Sequence, residues 1–108
     1  MASWCPNCKL ETHYLIKIFQ QYGNNITMIS ISQWYQETDQ TLAAFKNSFP
    51  GANWTFARDT ANLWTNLRLI DLPTLIILDK QGNIKFEQGA AIGPITDTML
   101  STAISPLL

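Results

Sequence analysis

Apolar positions recur along the chain with helical and strand-like periods, and turn residues punctuate them. From Cys5 to about Tyr22, Leu10, Tyr14, Leu15, Ile18 and Phe19 fall at helical spacing, and Gly23-Asn24-Asn25 stops the run. Ile26 to Ser32 reads as a strand, with Ile26, Met28, Ile29 and Ile31 apolar. Gln33 to Gln36 is a loop whose Trp34 and Tyr35 are expected in the core or partly buried. Thr38 or Asp39 can cap a second helix with Leu42, Phe45 and Phe49 on its inner face, and Pro50-Gly51 ends it. Trp54 to Ala57 is a short extended piece. Asp59 or Thr60 starts a short helix through about Leu67 that buries Leu63 and Trp64. Thr74 to Leu78 is almost continuously apolar, the pattern of a strand covered on both faces. Asp79 to Asn83 turns the chain, and Ile84 to Gln88 returns antiparallel with Ile84 and Phe86 inward. Thr96 or Asp97 caps a last helix through about Ile104, with Met99, Leu100 and Ala103 on its apolar side, and Ser105-Pro106 ends it.

A chain of 108 residues allows one domain, residues 1–108, and a hydrophobic share of 46% is enough to build its core. The net charge is −1 and the basic residues are scattered, so nothing in the sequence suggests a nucleic-acid or membrane-surface footprint. No apolar run approaches the roughly 18 residues of a membrane span. No charged and apolar leader of the secretory type precedes Trp4.

The chemistry concentrates in Trp4-Cys5-Pro6-Asn7-Cys8-Lys9, which holds both cysteines of the chain. Two thiols two residues apart at the start of a helix can close into a disulfide and reopen, because the first turn brings their Cα atoms within the required roughly 4.4–6.8 Å. Pro6 suits the first helical position, where no amide donor is needed. Cys5 then takes the capping position, over free N–H groups and the positive end of the helix dipole, which stabilises a thiolate. Cys8 lies one turn in and is expected to be less exposed. This reads as a nucleophilic Cys5 and a resolving Cys8. A structural disulfide, half a zinc site and a pair of inert thiols are the alternatives. A loop this short removes little entropy from the unfolded chain. Zinc needs about four ligands, and the single histidine, His13, falls on the wrong helical face. No metal and no cofactor is therefore assigned. Glu11 lies three residues past Cys8, on nearly the same face. If partly buried, its carboxylate would have a raised pKa and could exchange protons with the dithiol.

The run Ala2-Ser3-Trp4-Cys5-Pro6-Asn7-Cys8 resembles the active site of thioredoxin-like proteins, and among them the extracytoplasmic TlpA/ResA branch. Glu11 completes a C-x-x-C-x-x-E pattern, and Leu72-Pro73-Thr74 resembles the cis-proline segment that faces the dithiol. Asp79 to Asn83 resembles the hairpin between the last two strands, and Gly89 and Gly93 fall in familiar places. His13 stands where the branch often has proline, and Leu72 where it often has threonine or valine. The resemblance implies a thioredoxin-like α/β fold, a three-layer sandwich with a mixed sheet. It also implies a cis bond before Pro73 and a substrate surface formed by Trp4, Pro6, Leu72 and Pro73. The catalytic set it implies is Cys5, Cys8 and Glu11. The implied activity is thiol-disulfide oxidoreduction, with a protein disulfide as substrate and an upstream dithiol reductant as partner. A thioredoxin-like binding or redox-sensing module is the alternative. The implied location is extracytoplasmic, periplasmic or membrane-tethered, with cytoplasmic as the alternative.

In such a fold an apolar strand runs into the Ala-Ser-Trp-Cys motif and lies between Ile26–Ser32 and Thr74–Leu78. Here only Met1, Ala2 and Ser3 precede Trp4. The sheet is therefore expected to lack its central strand, with unpaired backbone on both neighbours. An upstream segment with a strand and a membrane anchor or signal, or a strand from a partner chain, would complete it.

Overall fold

Capping side chains set where the long helices begin. Cys5 Sγ accepts from Cys8 N at 3.1 Å and opens α1, Pro6–Tyr22, with Pro6 in the first turn. Thr38 Oγ1 accepts from Thr41 N at 3.1 Å and opens α2, Asp39–Asn47, as a capping box. Thr96 accepts from Met99 N and opens α4, Asp97–Ile104. The computed structural model describes residues 1–93 and 95–108. Between these helices run β1 (Ile29–Ser32), β2 (Thr55–Arg58), the short α3 (Leu63–Asn66), β3 (Thr74–Leu78) and β4 (Ile84–Gly89).

Helix α1 contributes to two cores, so it anchors the whole domain. Its Ile18 packs with Ile95, Leu100 and Ile104, against Leu75, Ile77 and Phe86 of the hairpin. Its Leu15 and Phe19 pack on Phe45, Phe49, Ala52 and Trp54. The indole of Trp54 stacks on Phe56 with centroids 5.5 Å apart, and its Nε1 donates to Ser30 Oγ at 2.8 Å, so the buried ring keeps its polar atom satisfied.

The architecture is the expected three-layer α/β sandwich, and its strands come in two halves. β1 pairs in parallel with β2, from Ile29↔Thr55 to Ser32↔Arg58. β3 pairs antiparallel with β4, from Thr74↔Gly89 to Leu78↔Ile84, with an irregularity between Ile77 and Leu78. Among the described residues no ladder joins β1 to β3. A groove of ≈ 940 Å³ separates them, floored by Ile18, Met28 and Leu100. The expected gap in the sheet is thus present. It explains why the apolar run Thr74–Leu78 contains no buried residue and why Ile29 is 57% exposed.

Several positions differ from the sequence pattern. The first strand begins at Ile29; Ile26 and Met28 precede it and pack into the core as irregular chain. Leu10 is 49% exposed and Tyr35 88%: Leu10 lies on the side of α1 away from the buried Cys8, Glu11 and Thr12, and Tyr35 stands at the tip of the 33–36 loop. Leu63 and Ile84 are also exposed rather than inward, each lying at the end of a short element. Helix α3 starts later than expected, yet Asp59 still serves it: its carboxylate accepts from Leu63 N at 2.7 Å and Trp64 N at 2.9 Å.

Candidate active site

Cys5 and Cys8 form a disulfide across the first turn of α1, with Cα atoms 5.2 Å apart. Both residues are buried, at 3% and 2% exposure, so exposure does not separate their roles as the sequence pattern expected. The wall that covers them is built from distant segments: Ala2, Met1, Trp34 and Leu72 pack on the pair. Position does separate them. Cys5 Sγ sits at the helix start and takes the Cys8 amide, whereas Cys8 lies inside the helix and its carbonyl accepts from Thr12 Oγ1 at 2.7 Å.

The other sequence-derived candidates gather around this pair. Trp4 is 54% exposed and Pro6 is exposed, so both flank the disulfide on the solvent side. Leu72 reaches it from the loop before β3, where the Leu72–Pro73 peptide bond is cis. That loop is tied down by Ala90 N, which donates to the Pro73 carbonyl at 3.0 Å, and by Gly89, where a Cβ would collide with the Asp71 side chain. A pocket of ≈ 300 Å³ next to the disulfide is lined by Leu10, Glu11, Tyr14 and Pro73.

Glu11 faces both that pocket and the groove, where Cys8 and Met1 also lie. It is 8% exposed, and its Oε1 has no hydrogen-bond partner among the described residues. Burial raises its pKa to about 7, outweighing the opposite pull of the Met1 ammonium. The Met1 ammonium is itself desolvated, and its pKa is lowered to about 6. His13 is exposed and sits edge-on to Phe49, with centroids 5.2 Å apart, away from the dithiol. Among the described residues no group of three or more His, Cys, Asp and Glu side chains is placed to hold a metal ion.

Sequence reasoning missed Glu37. This buried carboxylate accepts from Ser3 N at 2.9 Å, Ser3 Oγ at 2.6 Å and Ser32 Oγ at 2.7 Å, and also from Thr41 Oγ1. Burial works against its charge, but the hydrogen bonds from Ser3, Thr41 and Ser32 outweigh it and hold its pKa below the usual value. It therefore fastens the segment ahead of the dithiol to the end of β1 and the start of α2. Ala2 O then accepts from Cys5 N at 3.1 Å, which carries that anchorage into the helix start. Ser3 and Glu37 lie 34 residues apart, and no local pattern links them.

A family model described as thioredoxin-like matches residues 1–84. Nucleoredoxin of Homo sapiens is 31% identical over 96 residues, covering 82% of this chain and 21% of that protein. The chain thus spans about a fifth of the length of that curated relative. Among solved structures, a thioredoxin-like protein from Aeropyrum pernix superposes with a TM-score of 0.81 at 20% identity, over 98% of this chain and 73% of that one. StoA from Bacillus subtilis superposes with a TM-score of 0.77 at 20% identity, over 97% and 78% respectively. At such identities these two likenesses bear on the fold alone. The chain belongs to the thioredoxin-like family.

Proposed function

We propose that this domain reduces protein disulfides through the Cys5/Cys8 pair. The observation that carries the reading is the disulfide at the start of α1, with Cys5 Sγ on a helix amide and Cys8 behind it. In the reduced form the Cys5 thiolate gains from that amide and from the helix dipole. It attacks one sulfur of a substrate disulfide, forming a mixed disulfide and releasing the other substrate sulfur as a thiolate. Cys8, once deprotonated, attacks Cys5 Sγ. The Cys5–Cys8 bond forms as the bond to substrate breaks, and the substrate has gained two electrons. The dithiol supplies one proton, from Cys8, and solvent supplies the second that the two product thiols need, because Cys5 starts as the thiolate. Glu11 takes the Cys8 proton, since a carboxyl with a pKa of about 7 exchanges protons near neutral pH.

Trp4, Pro6, Leu72 and Pro73 form the surface that receives the substrate, and the exposed Leu10 extends its apolar rim. The Leu72 main chain, just ahead of the cis bond, is the group we assign to pairing with a substrate peptide. A dithiol reductant must return the pair to its reduced form. The resemblance to the TlpA/ResA branch favours work outside the cytoplasm; among the described residues no helix is long and apolar enough to cross a membrane.

The roles are tested by trapping. Cys8→Ser leaves the attacking thiol with no resolving partner, so mixed disulfides with substrate proteins accumulate on non-reducing gels. Cys5→Ser accumulates none. Equal trapping by the two variants refutes the assignment. Insulin reduction recycled by dithiothreitol must run faster with the protein than with dithiothreitol alone.

A further inference from the structure

Helix α1 turns one long face to solvent, and that face carries lysines and no carboxylate. Pro6, Lys9, His13, Lys17 and Gln20 are all exposed and follow one another at spacings of three or four residues. Glu11 is the one acidic residue between Trp4 and Gln36, and it is buried on the opposite side of the helix. The basic residues look scattered along the sequence, but the helix brings two of them into line. Among the described residues neither Lys9 nor Lys17 is in an ion pair, whereas Arg58 pairs with Asp39 at 3.1 Å and Lys85 with Asp79 at 3.9 Å. The stripe starts at the dithiol: Lys9 N donates to Cys5 O at 3.2 Å, so the first lysine stands one turn from the disulfide. The second leans towards the same site. Lys17 Nζ lies 5.8 Å from the centroid of the Tyr14 ring, and Tyr14 lines the pocket next to the disulfide with Leu10 and Glu11. Carboxylates from other elements do not offset the lysines. Glu37 is buried under hydrogen bonds from Ser3, Ser32 and Thr41, and the Asp71 side chain lies against Gly89.

We propose that Lys9 and Lys17 select protein disulfides flanked by acidic residues, by charge pairing along the solvent face of α1. The proposal rests on the redox reading above and adds the class of substrate to it. Eight residues separate the two lysines, about 12 Å along a helix axis. An extended chain covers that distance in about four residues. The favoured substrate therefore carries two carboxylates about four residues apart, beside its cystine. The lysines take no part in the exchange of sulfurs. They speed encounter and hold the flanking segment, so their effect appears in the second-order rate of reaction with substrate.

Single-turnover oxidation of the reduced protein by cystine-linked peptide dimers tests this without a recycling reductant. Three peptides share a glycine-serine scaffold with a central cysteine. They differ only at two positions, four apart, on each side of it, which carry glutamate, glutamine or lysine. Each rate is divided by that of dithiothreitol on the same peptide, which removes the effect of the flanking charges on the cystine itself. At low ionic strength the glutamate peptide should react roughly fivefold faster than the glutamine one, and the lysine peptide more slowly than either. Sodium chloride at about 0.5 M should bring the three rates together. Reversing both charges, Lys9→Glu with Lys17→Glu, should invert the order. The same reversal at the far hairpin, Lys80→Glu with Lys85→Glu, should keep it. Equal rates with the three peptides, or an order that the α1 reversal leaves unchanged, overturn the proposal and leave the redox reading standing. So does an inversion produced by the hairpin pair. A reduced protein that no peptide oxidises overturns both.

Discussion

Replacing Glu11 by glutamine should change how stability depends on pH. In the folded protein burial raises the Glu11 pKa from 4.5 to about 7. Between these values the folded state binds more protons than the unfolded chain, so stability falls as pH rises through that window. Taking the two values at face, the Glu11 contribution falls by about 2.5 kcal/mol between pH 5 and pH 8. Glutamine has nearly the same shape and carries no such contribution. The Met1 ammonium, with its pKa lowered from 8.0 to about 6, acts in the opposite sense: the unfolded chain binds more protons from pH 6 to 8, and stability rises there. Glu11 is one of the charges that raise the Met1 pKa, so its removal lowers that pKa further and acts in the same direction as the gain expected for the variant. Urea unfolding of the oxidised proteins, followed by tryptophan fluorescence at pH 5 and pH 8, measures the difference. Glu11→Gln should gain about 2–3 kcal/mol on the natural sequence over that interval. Parallel stability curves would refute the claim that the carboxyl is desolvated, and with it the proton-acceptor role built on that environment.

The same variant should slow insulin reduction near neutral pH by on the order of a hundredfold, the low end of general-base contributions, while Cys8→Ser trapping is unaffected by it. Glu37→Ala should lose about 3 kcal/mol in urea unfolding at pH 7, since Ser3, Ser32 and Thr41 all lose a charged acceptor. Because the Glu37 pKa is lowered on folding, its contribution is present above the usual carboxylate value and disappears as pH falls below it, so the loss should shrink towards pH 3. Phe45→Ala should cost about 3–5 kcal/mol, because the ring is buried against Phe49 and Phe56; a loss under 1 kcal/mol by thermal unfolding would contradict that packing.

The sequence by itself determined the elements and the reactive pair. Local rules suffice for both. Pro6 after Cys5 starts a helix, Thr38 and Thr96 cap two more, and Asp79 to Asn83 closes a hairpin through Asp79 Oδ1, which accepts from the Gln81 and Asn83 amides. Two sulfurs three residues apart on a helix start must lie close, whatever surrounds them.

Tertiary structure alone decided the environment of those groups. Whether Glu11 is a surface carboxylate or a buried one depends on Met1, Pro73 and the groove, none of which is its neighbour in sequence. Glu37 looks like any loop glutamate until the fold brings Ser3, Ser32 and Thr41 around it. Leu10, Leu63 and Ile84 fit an inward pattern and yet face solvent, since period tells which face a residue shares and not whether anything lies against that face. Bond geometry acts over a few residues and can be read from the chain, whereas desolvation and packing depend on every segment that arrives from elsewhere.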